Sequence, residues 1–195
     1  PVVTFNADLE DTKRLCFVGQ DTFQSGRTAA GLMNEMTNGK GQVAIISGQI
    51  ANPGLISRQK GFTTEIKESF PELEVVDIRY SYDDEWVASK IVEELLELYP
   101  ELTGIYITGH GVKGVCQTLK KLGKDRSIHV IANDFLEENK KWLQDGTINF
   151  LIGQDAAVQG HSPVTILFQL LFDSKAPEKE FQYTDIVIRT KYNMS

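Results

Sequence analysis

The sequence predicts an α/β fold: a doubly wound parallel sheet with flanking helices. Short β-branched runs alternate with longer stretches of helical period, as in a parallel sheet with crossover helices. The 195 residues are 41% hydrophobic and 24% charged, enough to bury a sizeable core and too apolar for disorder. The first apolar run, "PVVTFN", has no helix before it and is parted from the next by only a short polar loop, "ADLEDTKR". It therefore reads as the last strand of a unit that begins elsewhere.

Strands are expected at "VVTFN" (2–6), "LCFVG" (15–19), "QVAIIS" (42–47), "LEVVDI" (73–78), "TGIYIT" (103–108), "IHVIA" (128–132) and "INFLIG" (148–153). Each is β-branched or aromatic and bounded by turn-forming residues. Helical stretches follow from the second strand onward: "DTFQSGRTAAGLMNEM", "GLISRQKGFTTEIKESF", "DDEWVASKIVEELLELY", "GVKGVCQTLKKLG" and "FLEENKKWLQDG". Gly123 and Gly146 fall where a C-cap is expected, and Pro71 and Pro100 follow runs they cannot continue. In the third helix Trp86, Val87, Ile91, Leu95 and Leu98 are read as the core-facing stripe. After "INFLIGQD" come an apolar helix, "VTILFQLLF" (164–172), a polar linker, "DSKAPEKE", and one closing strand, "TDIVIRT" (184–190).

The net charge of −7 and the scatter of basic residues argue against a nucleic-acid surface within these residues. Cys16 and Cys116 both sit in apolar runs, so buried thiols are expected rather than a disulfide, which fits a reducing compartment. No apolar stretch reaches the length of a membrane span, and no signal peptide is visible.

In an open sheet of this class, ligands bind beyond the carboxyl ends of the strands. Those ends carry Asn6, Gln20 with Asp21, Ser47 with Gln49 and Asn52, Tyr80 with Tyr82, Gly109 with His110, Asn133 with Asp134, and Gln154 with Asp155; Arg58 lies early in the helix after "QVAIISG". Planar amides, carboxylates and guanidinium groups make paired bonds to vicinal hydroxyls, and aromatic faces cover a sugar ring, so the set suits a polyhydroxylated small molecule. Loops at strand ends are polar in any such protein, and that reading stays open. Catalytic signatures are weak. There is no P-loop, no dinucleotide glycine fingerprint and no nucleophile elbow, and the three histidines lack metal-ligand spacing, so neither metal nor cofactor is expected. His129 falls inside a strand and reads as structural; His110 suits ligand contact or capping.

The segments "PVVTFNAD", "CFVGQDTFQSGRTAAGLM", "SRQKGF", "IANDF" and "GTINFLIGQD" with its following "VQG" resemble, in order and spacing, the type I periplasmic-binding-protein fold. They look most like the effector-binding domain of lactose-repressor-family transcription regulators. The resemblance implies two α/β lobes joined by three crossovers, with a sugar clamped between them. Asn6, Asp21, Arg58, Asp134 and Gln154 then match ligand-gripping or hinge positions. Tyr82 and Trp86 are candidates for ring stacking, and His110 stands where relatives place an Asn.

The same resemblance makes residues 1–21 the last N-lobe strands and hinge, 22–153 the C-terminal lobe, 154–182 a crossover and N-lobe helix, and 183–195 a returning strand and tail. It also implies a C-terminal portion of a longer protein, with the apolar face of "VTILFQLLF" left uncovered and packing on a neighbouring chain. The leading expectation is a cytoplasmic sugar- or polyol-sensing module without bond-breaking chemistry, homodimeric when intact, reaching DNA only through an N-terminal domain outside this chain. The runner-up is an exported solute receptor of a sugar transporter. A small α/β enzyme using Asp134 or His110 ranks third.

Overall fold

Fifteen elements alternate along the computed structural model, which describes residues 1–9 and 11–194. The strands are β1 (Val3–Phe5), β2 (Cys16–Gln20), β3 (Gly41–Ser47), β4 (Leu73–Tyr80), β5 (Leu102–Ile107), β6 (His129–Asn133), β7 (Phe150–Gln154), β8 (Phe181–Thr184) and β9 (Ile186–Arg189). The helices are α1 (Thr22–Thr37), α2 (Pro53–Ser69), α3 (Glu85–Leu98), α4 (Val112–Lys121), α5 (Glu137–Gln144) and α6 (Ala156–Asp173). They build two compact units, one from residues 1–21 and 154–187, the other from 22–153 and 188–195.

The first unit holds a three-stranded sheet in the order β1-β2-β8. Both pairings are parallel, Val3 opposite Cys16 and Phe17 opposite Phe181. Its small core joins Cys16 and Val18 of β2 to Ile166 of α6. Arg14, almost fully buried, ties the loop before β2 to Asp8 and to Glu180, and its guanidinium lies 5.0 Å from the Phe181 ring centroid. Asp155 caps α6, accepting from the Val158 amide at 3.0 Å.

The second unit is organised on a six-stranded sheet in the order β4-β3-β5-β6-β7-β9. Strand β3 is flanked by β4 on one side and β5 on the other, so the chain reverses its direction of travel across the sheet between β3 and β5. That reversal is the topological switch point at which this class of sheet leaves a crevice. Alternation along each strand divides the side chains between two faces. On one, Ala44, Ile46, Ile105, Ile107, Val130, Ala132 and Leu151 form a dry core with α3, α4 and α5. On the other, Val43, Ile45, Tyr106 and Ile131 are fully buried, and Phe62 of α2 stacks on Tyr106 with centroids 4.8 Å apart.

Helices α1 and α2 cross at two glycines. A Cβ on Gly26 would stand 2.1 Å from the Arg58 carbonyl oxygen, and one on Gly61 2.0 Å from that of Phe23. Only a residue without Cβ permits this approach. Arg27 and Glu65 pair across the same crossing. Helix α2 starts where Asn52 accepts from the amides of Gly54 and Leu55 and Pro53 supplies a preset φ.

Three expectations need correction. The buried face of α3 is Ala88, Ile91, Val92 and Leu95, an i, i+3, i+4, i+7 stripe that puts Trp86 on the far side and leaves Leu98 in the last turn. Trp86 is 69% exposed and Leu98 59%. The closing "TDIVIRT" is not one strand: β8 starts earlier, at Phe181, and Asp185 separates it from β9, so the two halves join different sheets. The apolar run 164–172 is the latter half of α6, which runs from Ala156 through Gly160 and Pro163. Its Val164, Phe168, Leu171 and Phe172 are exposed.

Candidate functional site

The carboxyl ends of β3, β5 and β6 deliver a polar row to the face covered by α1 and α2. Extending the pairing of Ile46 with Ile107 and of Ile107 with Ala132 places Ser47, Thr108 and Asn133 side by side. All three are buried. The Thr108 hydroxyl donates to Ser47 Oγ at 2.9 Å.

Arg58, in the second turn of α2, reaches onto this row and is only 4% exposed. Its Nη1 donates to the Thr108 carbonyl oxygen at 2.8 Å. Its Nη2 stands 4.0 Å from Asp134 Oδ1. A buried guanidinium needs partners for its fixed fork of donors, and here a backbone carbonyl and a carboxylate supply them.

Asp134 follows β6 directly, with φ at +72°, a left-handed conformation that Asp and Asn reach more easily than other residues with side chains. The turn is fastened on both sides: the Asp134 amide donates to the Ile152 carbonyl at 2.9 Å, and the Asn139 side chain donates to the Asp134 carbonyl at 3.0 Å. The carboxylate is about one-third exposed while its arginine neighbour is sealed. Below them, burial pushes the Tyr106 hydroxyl well above its ordinary range; the Arg58 charge opposes this and the Asp134 charge adds to it, so the group stays protonated.

Among the sequence-predicted residues, the second unit brings Arg58 and Asp134 together. Tyr82 and His110 lie on neighbouring loops of the same rim, linked by the Ser81 hydroxyl, which donates to the His110 carbonyl at 3.4 Å. Both are exposed, Tyr82 with φ at +55°. In the first unit Asn6 is exposed at the end of β1, also left-handed, and its amide donates to the Val18 carbonyl at 3.1 Å. Asp21 is half-buried at the end of β2, and Gln154 accepts from the Gln159 side chain at 3.2 Å. Sequence reasoning missed Thr108 and Tyr106 as supports of Arg58. Strand alternation could have shown that Tyr106 and Thr108, two apart, share a face, though not that Arg58 uses the Thr108 carbonyl.

The parallel sheet, with its polar row at the switch point, is that of an α/β domain, and this chain belongs to the periplasmic binding protein domain family, which it matches over residues 1–175. It is 24% identical over 94% of its length to the D-allose-binding periplasmic protein of Escherichia coli (strain K12), covering 62% of that protein. It is 25% identical over 85% of its length to the xylitol-binding protein of Mycolicibacterium smegmatis, covering 51% of it. The chain therefore spans between half and two thirds of the length of these curated relatives. Among solved structures, it superposes with a TM-score of 0.91 and 28% identity on an ABC transporter solute binding protein from Burkholderia graminis in complex with D-arabinose, covering 99% of this chain and 68% of that one. These relatives are binding proteins rather than transcription regulators. They favour the transporter-receptor expectation over the lactose-repressor one.

Proposed function

We propose that this chain is part of the sugar- or polyol-binding receptor of a transport system, and that it holds its ligand by reversible hydrogen bonding without turnover. The observation that carries the reading is the Arg58–Asp134 pair at the switch-point rim. A sealed guanidinium and a part-open carboxylate 4.0 Å apart offer donors and acceptors within the span of two neighbouring hydroxyls. The allose, xylitol and arabinose named for its relatives support ligands of this chemistry. Tyr82 and His110, on the same rim, are proposed to extend this ligand set, and Asn6, Asp21 and Gln154 are proposed as ligand contacts carried by the first unit, as the resemblance implies.

The test is titration calorimetry of the full-length protein against aldoses and polyols. Asp134→Asn preserves the left-handed turn but removes the counter-charge of the buried guanidinium, so the melting temperature should fall modestly while affinity falls at least tenfold, about 1.4 kcal/mol. Unchanged affinity in that variant would remove Asp134 from the site. Ligand recovered chemically altered would favour the enzyme reading instead.

The regulator reading keeps one supporting observation: Cys16 and Cys116 are both free and buried, as suits a reducing compartment. A helix-turn-helix in the longer protein, with cytoplasmic fractionation and a dimeric mass, would favour it.

A further inference from the structure

Asn133 is 1% exposed, and neither its carboxamide oxygen nor its nitrogen meets a hydrogen-bond partner among the described residues. Leaving both ends of a buried amide unsatisfied costs stability, and such a group calls for an explanation. Its surroundings sharpen the question. Asn133 shares the sheet face of Tyr106 and Thr108, and the strand register sets it beside Thr108, whose carbonyl anchors Arg58. The hydroxyl of Tyr106, also buried, interacts with the Asn133 carboxamide without closing a well-formed hydrogen bond, and feels the charges of both Arg58 and Asp134. The Phe62 stack fixes the Tyr106 ring. A leucine of similar size would fill the same volume with no orphaned atoms, so packing alone does not account for an asparagine here.

We infer that Asn133 is a positioning residue: with the Tyr106 hydroxyl it forms a buried polar layer that braces the inner side of the Arg58 guanidinium and aims its outer donors, together with Asp134, at ligand hydroxyls. This rests on the sugar-binding reading and adds to it a residue that does not touch the ligand.

Two variants of the full-length protein test this, each measured by melting temperature without ligand and by calorimetry with the sugar that the wild type binds most tightly. Asn133→Leu should raise the melting temperature and weaken binding about tenfold or more. A merely structural asparagine would let the melting temperature change while affinity stayed put, and that result overturns the inference. Asn133→Asp sets a second carboxylate beside Arg58, with Asp134 and Tyr106 the other ionisable groups near the pair. Its affinity should weaken from pH 5 to pH 7.5 relative to the wild type measured in parallel, whose rim also carries His110, through competition for the guanidinium. A profile in Asn133→Asp that parallels the wild type's also overturns it, and remains readable if the leucine variant fails to fold. A wild type that binds no sugar or polyol in the panel removes the parent reading and this inference together.

Discussion

At the scale of single residues, the rim is held by backbone as much as by charge. Asp134 occupies a left-handed turn clamped by Ile152 and Asn139, so a β-branched residue there would pay for strained backbone before any question of ligand arises. His129 offers a separate test. Burial at the start of β6 depresses its pKa below the ordinary 6.5. Between the depressed folded value and 6.5 the unfolded chain binds more protons, so stability is full above 6.5 and declines as pH falls below it. Denaturant titrations from pH 8 to 5 should show this decline, and His129→Gln should flatten that part of the curve; an unaltered slope would mean that His129 contributes nothing to it. The individual residues were partly legible. Asp134 and Arg58 stand out in "IANDF" and "SRQKGF" because a charge at an apolar strand end or early in a following helix needs a partner. The bond from Arg58 to Thr108 was not legible, because a backbone carbonyl carries no residue signature.

At the scale of elements, the α1–α2 crossing sets where Arg58 stands. Gly26 abuts the Arg58 carbonyl itself. Gly26→Ala should cost about 1–3 kcal/mol, the range for overpacking a tight contact, whereas Gly31→Ala, on the same helix with open space around a new Cβ, should be neutral or stabilise by up to about 1 kcal/mol. Equal effects in urea unfolding would contradict this account. Most elements could be read from hydrophobic period: strands β2 to β7 and helices α1 to α5 lie within a few residues of the runs that announce them. The exceptions have physical causes. Strand β8 is only four residues long and follows directly on a charged linker, so alternation has too few positions to declare itself. Trp86 misled because a large aromatic at roughly helical spacing looks like core, while the stripe that packs is phased on small Ala88.

At the scale of the molecule, apolar burial is unequal. The second unit has a continuous core of large side chains on both sheet faces; the first relies on Cys16, Val18 and Ile166 with Val3 and Leu15 partly covered. Local stability follows buried apolar contact. Native-state hydrogen exchange should therefore find amides of β1, β2 and β8 exchanging well before those of β3, β5 and β6, and uniform protection across both sheets would refute the division. The alternation of strands and helices made the α/β class legible, since period depends on local sequence. The strand order in each sheet was not, because it is decided by contacts between distant segments.

The central strand of the smaller sheet, β2, has neighbours of very different origin: β1 comes from a few residues upstream, whereas β8 arrives from near the far end of the chain. On a ribosome, β2 would emerge well before β8 and wait with one edge bare until the long stretch between Phe17 and its partner Phe181 had been made. Closing so large a loop is entropically slow. Maturation should then run in sequence, with the larger sheet assembling first. The interval before β8 docks is when a chaperone, or an unwanted neighbouring strand, has access to that edge.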